Sequence, residues 1–349
     1  MGVVEQHHAL NRPEHPVCSV CIANYNGVSL LNDCLASVLA QQGNISLEII
    51  VHDDASTDGS IALLRAKYPQ VELLASEQNV GFCIGNNRMV AHARGEFVLL
   101  LNNDAALWPD AVSTLLATAQ AATQARILTL PQYDWLTGDL VDRGCLLDPF
   151  YNPLPNLDPL RREVAMTIGA CMFLPRALWI DLGGFPEWME SIAEDMYLCC
   201  LARLNGLSVQ VTESSGYLHR QGASFGGNRV DQGRMSSTFR RRRLSERNKT
   251  AVMLICTPTG LVWPLLTMHL IALTIEGTII TLMRRDRRVW REIYGPTLRS
   301  TLGSLVDLCT KRNRQQAKRR TALRNYLSAF TFFPNKLRLL VRHGVPSIR

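Results

Sequence analysis

The chain has 349 residues, with 37 Lys and Arg against 30 Asp and Glu, and a formal net charge of +7. Hydrophobic residues make up 47% of it and charged residues 19%, which excludes a disordered chain. The charge is unevenly divided: residues 1–219 carry 24 acidic and 11 basic side chains, and residues 220–349 carry 6 acidic and 26 basic side chains. An acidic body joined to a basic tail predicts two roles, one of them at a polyanionic surface.

The N-terminus and the cysteines indicate the cellular compartment. Residues 1–16 lack the basic segment and apolar run of a secretory signal. Cys18 and Cys21 form a CxxC pair, but they lie in an apolar run that predicts a buried strand, where cysteine packs as a small hydrophobe. Ten cysteines are too few for a disulfide scaffold. We therefore expect a protein kept in a reducing cytoplasm.

Short apolar runs alternate with amphipathic segments from residue 17 to about residue 131. The pattern predicts strands at residues 17–24, 46–54, 71–75 and 96–104, and helices at residues 29–42, 57–68, 84–94 and 109–122. A later strand is expected at 167–175, a helix at 193–206 and a strand at 207–212. This alternation predicts an α/β fold with a mostly parallel central sheet, in which ligands bind at the carboxyl ends of the strands.

Carboxylates stand where several of these elements end or begin. They are, in chain order, Asp53, Asp54, Asp104, Glu194 and Asp195. One carboxylate at a strand end can hold a divalent cation against a diphosphate, and another can take a proton from an attacking hydroxyl. His219 is a further candidate metal ligand, although a single histidine is more often structural.

A series of motifs follows in a specific order and spacing. They are NYNG (24–27), HDDASTDGS (52–60), QNVGFCIGNN (78–87), LLLNND (99–104), AEDMYLCCLARLNG (193–206) and HRQGAS (219–224). Together they resemble glycosyltransferase family two, in its rhamnosyltransferase-like, O-antigen type branch, over residues 17 to about 225. The resemblance implies the GT-A fold. It also implies transfer of a sugar from a nucleotide sugar to an acceptor hydroxyl, with inversion and usually with Mg²⁺ or Mn²⁺.

The resemblance implies a role for each matching position. Asp195 matches the general base, with Glu194 beside it. Asp104 matches the last position of the metal motif, and His219 the position that binds the metal in some members. Asp53 would accept a hydrogen bond from N3–H of uracil or thymine. The other implied donor-binding residues are Asn24, Tyr25, Asn26, Gly81, Asn86, Arg88 and Asn103.

Three features bear on how far the resemblance extends. Asn102 and Asn103 precede Asp104 in the metal motif, which removes one charged ligand and makes tight metal binding less certain. His52 stands where an aliphatic residue is usual. No QxxRW motif follows the acidic pair, so we expect a non-processive enzyme that transfers one sugar per encounter.

The composition and the family resemblance together predict three regions. They are an N-terminal extension (1–16), a GT-A catalytic domain (17–230), and a helical, basic C-terminal region (231–349) that associates with a membrane. Within the last, residues 251–283 are apolar apart from Glu276 and lie between Arg clusters. Their length permits one membrane span, but a charge inside it favours interfacial helices on an anionic leaflet. Packing of this stretch on the catalytic domain is the third possibility.

The sequence thus predicts an inverting, metal-dependent glycosyltransferase, peripheral or monotopic, at the cytoplasmic face of the inner membrane. The donor would be a dTDP- or UDP-sugar, of rhamnose or a hexose, and the acceptor a lipid-linked or surface-polysaccharide precursor glycan. No nucleic-acid partner is expected, because no recognition motif accompanies the basic runs. Two alternatives stay open: a nucleotidyltransferase on a similar fold, and a non-catalytic membrane-bound GT-A scaffold.

Overall fold

The structure is a computed structural model that describes residues 4–222, 229–231, 234–336 and 347–348. The strands in these ranges are β1 (Val4–His7), β2 (Cys18–Asn24), β3 (Leu47–Asp53), β4 (Glu72–Ser76), β5 (Phe97–Asn102), β6 (Ala105–Leu107), β7 (Arg126–Thr129), β8 (Gln132–Asp134), β9 (Leu140–Asp142), β10 (Cys145–Leu147), β11 (Pro153–Pro155), β12 (Cys171–Pro175), β13 (Ser208–Val211), β14 (Tyr217–His219), β15 (Arg229–Asp231), β16 (Arg234–Ser237) and β17 (Ser347–Ile348).

The helices in the same ranges begin and end close to the predicted residues in the first half of the chain. They are α1 (Val28–Leu39), α2 (Ser60–Lys67), α3 (Phe82–His92), α4 (Ala111–Gln120), α5 (Arg176–Leu182), α6 (Glu194–Leu204), α7 (Phe239–Cys256), α8 (Val262–Arg284), α9 (Gly295–Gly303), α10 (Leu305–Ala317) and α11 (Leu323–Tyr326). The predicted α/β alternation up to residue 131 is confirmed.

An eight-stranded sheet in the order β1-β4-β3-β2-β5-β12-β7-β13 forms the centre of the described structure. Strands β4, β3, β2 and β5 run parallel, as predicted, and β13 runs parallel to β7. Strands β1 and β12 are antiparallel to their neighbours, so the sheet is mixed, but its other six strands share one direction, in agreement with the predicted mostly parallel sheet. Helices cover both faces, which is why the central strands are almost continuously apolar.

Alternation along the strands divides the buried side chains between two cores. In β2, Val20 and Ile22 face α1 and α4, whereas Cys21 faces α3 and α6. All ten cysteines lie within the described residues and are free thiols, and Cys18 and Cys21 are fully buried, as predicted. The cysteines of the CxxC pair therefore fill space in the sheet and do not form a disulfide.

The N-terminal extension is part of the sheet. Residues Val4–His7 pair antiparallel with β4 at the sheet edge. Arg12 then reaches the buried carboxylate of Glu48, with 2.6 Å between its Nη2 and Oε1. The composition of residues 1–16 did not reveal this strand, because a four-residue edge strand has too few residues to show a period.

The apolar stretch at residues 251–283 has two different environments. Residues 251–256 form the end of α7 and are buried against α6 in the core of the catalytic domain. The two regions predicted at the boundary near residue 230 therefore share one core. Residues 262–283 belong to α8, which buries one side and exposes large apolar side chains on the other. The start of α8 joins the same core through Leu266, whereas Leu273 and Ile280 further along α8 pack against residues 289–294 of the C-terminal region.

Helix α8 is also the element that a membrane span would require. Among the described residues, the helical stretch Thr259–Arg284 alone is long and apolar enough to cross a membrane by length and composition. Glu276 within it is not directed at lipid, because its carboxylate is bound by Arg242 and by Lys336, at 2.5 Å and 2.6 Å. Both cations lie on the protein side of α8, so the protein neutralises the charge that the sequence placed inside the apolar stretch.

Candidate functional site

A row of hydrogen-bonded side chains lies at the carboxyl ends of β3, β2 and β5. Asn24 donates through Nδ2 to Oδ2 of Asp53 over 2.7 Å, and Asn103 donates through Nδ2 to Oδ1 of Asn24 over 2.8 Å. All three side chains are buried. Neighbouring parallel strands end at one edge of a sheet, so three residues that are far apart in sequence meet there. We call these three residues the amide row.

Gly27 packs directly against the amide row. A Cβ atom at this position would lie 2.2 Å from Nδ2 of Asn103 and 2.5 Å from Oδ1 of Asn24. Any side chain here would push the two amides apart. The first turn of α1, which begins after Gly27, can approach the strand ends because this residue is glycine.

The loop after β2 has two residues with different exposures. The side chain of Tyr25 is 54% exposed, so one face of its ring is available to a planar ligand. Asn26 has a φ of 48° and accepts from the amide of Thr57 over 2.8 Å. Asp53 also accepts from the amide of Ser56 over 2.9 Å, so the protein already contacts both of its carboxylate oxygens. Recognition of a base by Asp53 stays a prediction that uses its remaining lone pairs.

The second aspartate of the pair holds the loop before α3. Asp54 accepts from the amides of Val80 and Gly81, over 2.7 Å and 2.9 Å. Gly81 has a φ of 89° and begins α3, so its backbone suits glycine. Asn86 is buried one turn further on and donates to the carbonyl of Phe82 over 2.9 Å. The sequence analysis assigned no specific role to Asp54. Its position next to Asp53 was the feature of the sequence that could have indicated one.

Arg88 lies on the other side of the sheet from the amide row. Its Nη1 is 3.3 Å from Oγ of Ser76 and 3.5 Å from Nε2 of His52. Successive residues of β3 point to opposite faces, so His52 faces α3 while Asp53 faces the α1 side. Burial, with the nearby charge of Arg88, lowers the pKa of His52 to about 4. Arg88 therefore shares α3 with Asn86 and follows Gly81, and it lies on the face of the sheet opposite to that of Asp53.

Asp104 and His219 form a buried pair at the next strand end. Strand β14 pairs antiparallel with β6 and sets His219 opposite Ala105, so Nε2 of His219 lies 3.1 Å from Oδ1 of Asp104. Nδ1 of His219 lies 3.2 Å from Oε1 of Gln132, which can only accept. Nδ1 therefore carries a proton, and Nε2 of a neutral ring presents a lone pair toward a carboxylate oxygen. Two facing acceptors of this kind fit a cation between or beside them.

The pair supplies two ligands of the kinds that Mn²⁺ and Mg²⁺ accept. Within the described residues, no group of three or more His, Cys, Asp or Glu side chains is arranged to hold a metal ion. Further ligands would have to be water and the phosphates of a donor, which is how Mg²⁺ is commonly held. The residues present fit a metal that binds together with its diphosphate.

The acidic pair opens helix α6. Asp195 accepts from the amides of Gly169 and Met196, over 2.9 Å and 2.7 Å, which fixes the orientation of its carboxylate. Glu194 is buried, and its Oε2 has no hydrogen-bond partner in the described part of the chain. Burial, reinforced by the charge of Asp195, raises the pKa of Glu194 to about 8. Burial also raises the pKa of Asp195 above its usual value.

Two consecutive residues join the acidic pair to the metal motif. Gly169 donates its amide to Asp195, and the carbonyl of Ala170 accepts from the amide of Asn102 over 3.0 Å. The predicted base and the residue two positions before Asp104 are therefore hydrogen-bonded to two consecutive residues, Gly169 and Ala170. The tertiary structure brings the two predicted parts of the site together at one edge.

Helix α7 contributes a charge that the sequence analysis assigned to the membrane. Arg241 interacts electrostatically with Glu194 and Asp195, and burial lowers its own pKa. The run RRRR (240–243) was interpreted as a charged surface, and nothing in its composition distinguishes the second arginine. The helical periodicity of residues 239–256 was the signal available in the sequence. It places Arg241 on a different side of the helix from the outward-facing residues.

The first half of the chain is similar to a known protein family. Residues 19–181 match the family model described as Glycosyl transferase family 2. This matched stretch is similar to that family over a little less than half of the chain, and we call it the family 2 domain. The match covers strands β2 to β12 and most of α5, and therefore the amide row and Asp104. The acidic pair, His219 and the C-terminal helices lie beyond the matched residues of the family 2 domain.

Curated relatives match parts of the chain. The succinoglycan biosynthesis protein ExoO of Rhizobium meliloti is 32% identical over 108 residues, which is 31% of this chain and 31% of that protein. The chain thus spans about a third of the length of this relative. The rhamnosyltransferase-like branch expected from the motifs stays a prediction.

Solved structures extend the likeness to most of the chain. TarS of S. aureus, residues 1–349 in complex with UDP-GlcNAc, has a TM-score of 0.53 and 17% identity, and the match covers 86% of this chain and 89% of that one. The mannosyltransferase PcManGT of Pyrobaculum calidifontis, in complex with GDP-Man and Mn²⁺, has a TM-score of 0.50 and 18% identity, covering 87% and 89%. At these identities the likeness concerns the fold, and it confirms the GT-A architecture around the family 2 domain.

Proposed function

We propose that the protein is an inverting, metal-dependent and non-processive glycosyltransferase whose general base is Asp195. The observation that carries this proposal is that Asp195 and Asn102 of the metal motif are hydrogen-bonded to two consecutive residues, Gly169 and Ala170. A base and a diphosphate site held by one short segment can act on the two sides of a single anomeric carbon. Burial raises the pKa of Asp195, which makes its carboxylate a stronger proton acceptor than that of an exposed aspartate.

The proposed reaction is a single displacement. The acceptor hydroxyl loses its proton to a carboxylate oxygen of Asp195 as its oxygen forms a bond to the anomeric carbon. The bond from that carbon to the diphosphate oxygen breaks, and the nucleoside diphosphate leaves with the electron pair. Asp104 and His219 would hold Mg²⁺ or Mn²⁺, which supplies charge neutralisation for the leaving diphosphate.

The donor proposed first is a dTDP- or UDP-sugar, of rhamnose or a hexose. Asn24 and Asp53 present hydrogen-bonding groups at the strand ends, and the half-exposed ring of Tyr25 can stack on a pyrimidine. TarS was crystallised with UDP-GlcNAc, and PcManGT with GDP-Man. A pyrimidine donor agrees with a carboxylate acceptor for an N3–H group.

The membrane partner we propose is an anionic leaflet at the cytoplasmic face of the inner membrane. The outward face of α8 carries the exposed apolar side chains Trp263, Met268, Ile271, Ile275, Ile279, Leu282 and Met283. Exposed Arg285, Arg287 and Arg291 follow directly. An apolar face next to cations fits an interfacial helix, with its side chains in the acyl boundary and the arginines at the headgroups.

This placement favours a lipid-linked or surface-polysaccharide precursor glycan as the acceptor. An enzyme held on the leaflet meets a lipid-anchored acceptor by diffusion in two dimensions. The inner face of α8 is occupied by the protein, since Glu276 is bound to Arg242 and Lys336 there. The proposal is therefore a monotopic attachment, without a span.

The decisive experiment is a thermal-shift screen of the purified chain against UDP-, dTDP- and GDP-sugars, with and without Mn²⁺. A ligand that binds only the folded state raises its melting temperature, so the cognate donor should give the largest shift, and Mn²⁺ should increase it. Release of nucleoside diphosphate with that donor should follow. A chain that binds none of these donors would instead be the non-catalytic scaffold.

A further inference from the structure

We propose that Asn248 is a positioning residue for catalysis, which holds the strained segment before the acidic pair in its active conformation. This inference rests on the proposed function, because it takes Asp195 to be the base. Asn248 lies on α7, in the region whose composition indicated only a membrane-binding role. The inference makes that helix part of the catalytic machinery.

The segment that leads into α6 has an unusual backbone. Glu190, Ile192 and Ala193 have φ values of 65°, 71° and 69°. Residues with a Cβ atom rarely adopt positive φ, and a β-branched residue such as isoleucine is a clear outlier there. Such backbone persists only when surrounding contacts hold it. The next two residues are Glu194 and Asp195, so the backbone conformation of this segment sets the position of both carboxylates.

The amide of Asn248 supplies those contacts. Its Nδ2 lies 2.9 Å from the carbonyl oxygen of Met189, 3.0 Å from that of Ser191 and 2.8 Å from that of Ile192. Its Oδ1 accepts from Nε of Arg247 over 2.9 Å, which leaves the amino group directed at the carbonyls. Asn248 is fully buried, so water does not replace these hydrogen bonds.

Other contacts fasten the same segment. Arg247 donates through Nη2 to the carbonyl of Met189 over 3.1 Å and pairs with the carboxylate of Glu190, as does Arg240. The amide of Cys83, at the start of α3, donates to the carbonyl of Glu190 over 3.3 Å. None of these contacts reaches the carbonyls of Ser191 and Ile192. Asn248 is therefore the residue of α7 that binds these two carbonyls.

Loss of the amide should let the segment relax toward negative φ. The first turn of α6 would shift, and Asp195 would lose its alignment with Gly169. No hydrogen bond in the described part of the chain joins the amide row to Asn248, so binding of the donor base should change little. The expected signature is a loss of turnover at nearly constant donor KM.

The test compares Asn248→Ala with the wild-type chain. We expect kcat to fall by about tenfold or more, as misplaced catalytic groups cost up to about a hundredfold. The donor KM should stay within about twofold. The acid limb of the kcat–pH profile should move to lower pH, because solvent entering the loosened segment relieves the burial of the acidic pair. Hydrogen exchange of a peptide covering residues 187–196 should quicken without any ligand present.

A matched control separates positioning from general destabilisation. Asn156 is also buried, and its Nδ2 donates to the carbonyls of Arg143 and Arg161, over 3.2 Å and 2.9 Å, away from the acidic pair. Asn156→Ala should lower the melting temperature while leaving kcat and its pH profile unchanged.

A rescue experiment still tests the inference if Asn248→Ala folds poorly. Glycine adopts positive φ without strain, so Ala193→Gly in the Asn248→Ala background should recover part of the lost kcat. A structural role for Asn248 elsewhere in α7 predicts no recovery.

Unchanged hydrogen exchange at residues 187–196, or a drop in kcat matched by Asn156→Ala, would overturn the positioning role. An inactive wild-type chain whose exchange still responds to Asn248→Ala would support the positioning and reject the proposed reaction. The two failures are therefore distinguishable.

Discussion

Nε2 of His219 lies 3.1 Å from Oδ1 of Asp104, although 115 residues separate the two in the chain. The antiparallel pairing of β14 with β6 produces this contact, and Gln132 fixes the tautomer of the imidazole. The arrangement leaves the nitrogen that faces the carboxylate free to bind a cation.

The first prediction concerns the metal. His219→Ala should weaken Mn²⁺ binding in the presence of UDP by about tenfold or more, because loss of even an indirect metal partner commonly costs that much. Calorimetric titration of Mn²⁺ measures this independently of turnover. His15→Ala, at an exposed histidine, should leave the titration unchanged. Equal Mn²⁺ affinity in His219→Ala and wild type would remove His219 from the metal site.

The second prediction concerns the base. Asp195→Asn should retain donor binding and lose transfer by a factor of about a thousand, the upper part of what one acid–base group contributes. The exposed Asp181→Asn serves as the control, because it makes the same chemical change away from the site. Single-turnover rates with the cognate donor measure the effect. Near wild-type transfer by Asp195→Asn would show that another group accepts the proton.

The third prediction is the pH dependence of stability. Burial raises the pKa of Glu194 to about 8, above the value of about 4.3 for an exposed glutamate, so the folded state binds a proton that the unfolded state has released. The stabilisation from this group is fully present below the unfolded pKa and is lost as the pH rises through about 8. Arg241 on α7 and Cys83 on α3 face the same pair.

Melting temperatures measured from pH 5 to pH 9 check this dependence. The wild-type chain should become less stable toward the alkaline end, and Glu194→Gln should flatten that part of the curve. Identical slopes in the two proteins would mean that Glu194 is ionised in the folded state at neutral pH.

The fourth prediction concerns the amide row. Gly27→Ala places a Cβ atom 2.2 Å from Nδ2 of Asn103, which must displace the side chains of the row. We expect the Kd for the donor to rise about tenfold or more, with the fold retained. Gly303→Ala is the matched control, because a Cβ atom there meets nothing within 4 Å. Equal donor affinity in both variants would separate the amide row from donor binding.

The fifth prediction concerns the outward face of α8. The double variant Ile271→Asp and Ile275→Asp should lose most of its binding to vesicles of anionic phospholipid, because charges at this depth are costly. Transfer to a soluble acceptor should persist. Leu136→Asp with Leu160→Asp is the control, since both leucines are exposed on the catalytic domain. Vesicle sedimentation that does not distinguish the two double variants would contradict the proposed attachment.

Local periodicity in the sequence determined the first half of the fold. The alternation of apolar runs with helical patterns located β2 to β5 and α1 to α4 within a few residues. Strand order then predicted that Asn24, Asp53 and Asn103 would meet at one edge. The reason is physical: in a parallel sheet with helical crossovers, the strand ends share an edge whatever the side chains are.

The tertiary structure alone decided which face of the sheet each side chain points to. It alone also showed that α7 contacts the segment before the acidic pair. Alternation at the end of β3 separates Arg88 from Asp53, which a linear motif cannot show. Asn248 meets the segment at 189–192 across more than fifty positions, and its neighbours in sequence are charged residues typical of a membrane surface. Composition reports the average environment of a helix. The contact of one buried amide with three carbonyls depends on packing, so only the folded chain reveals it.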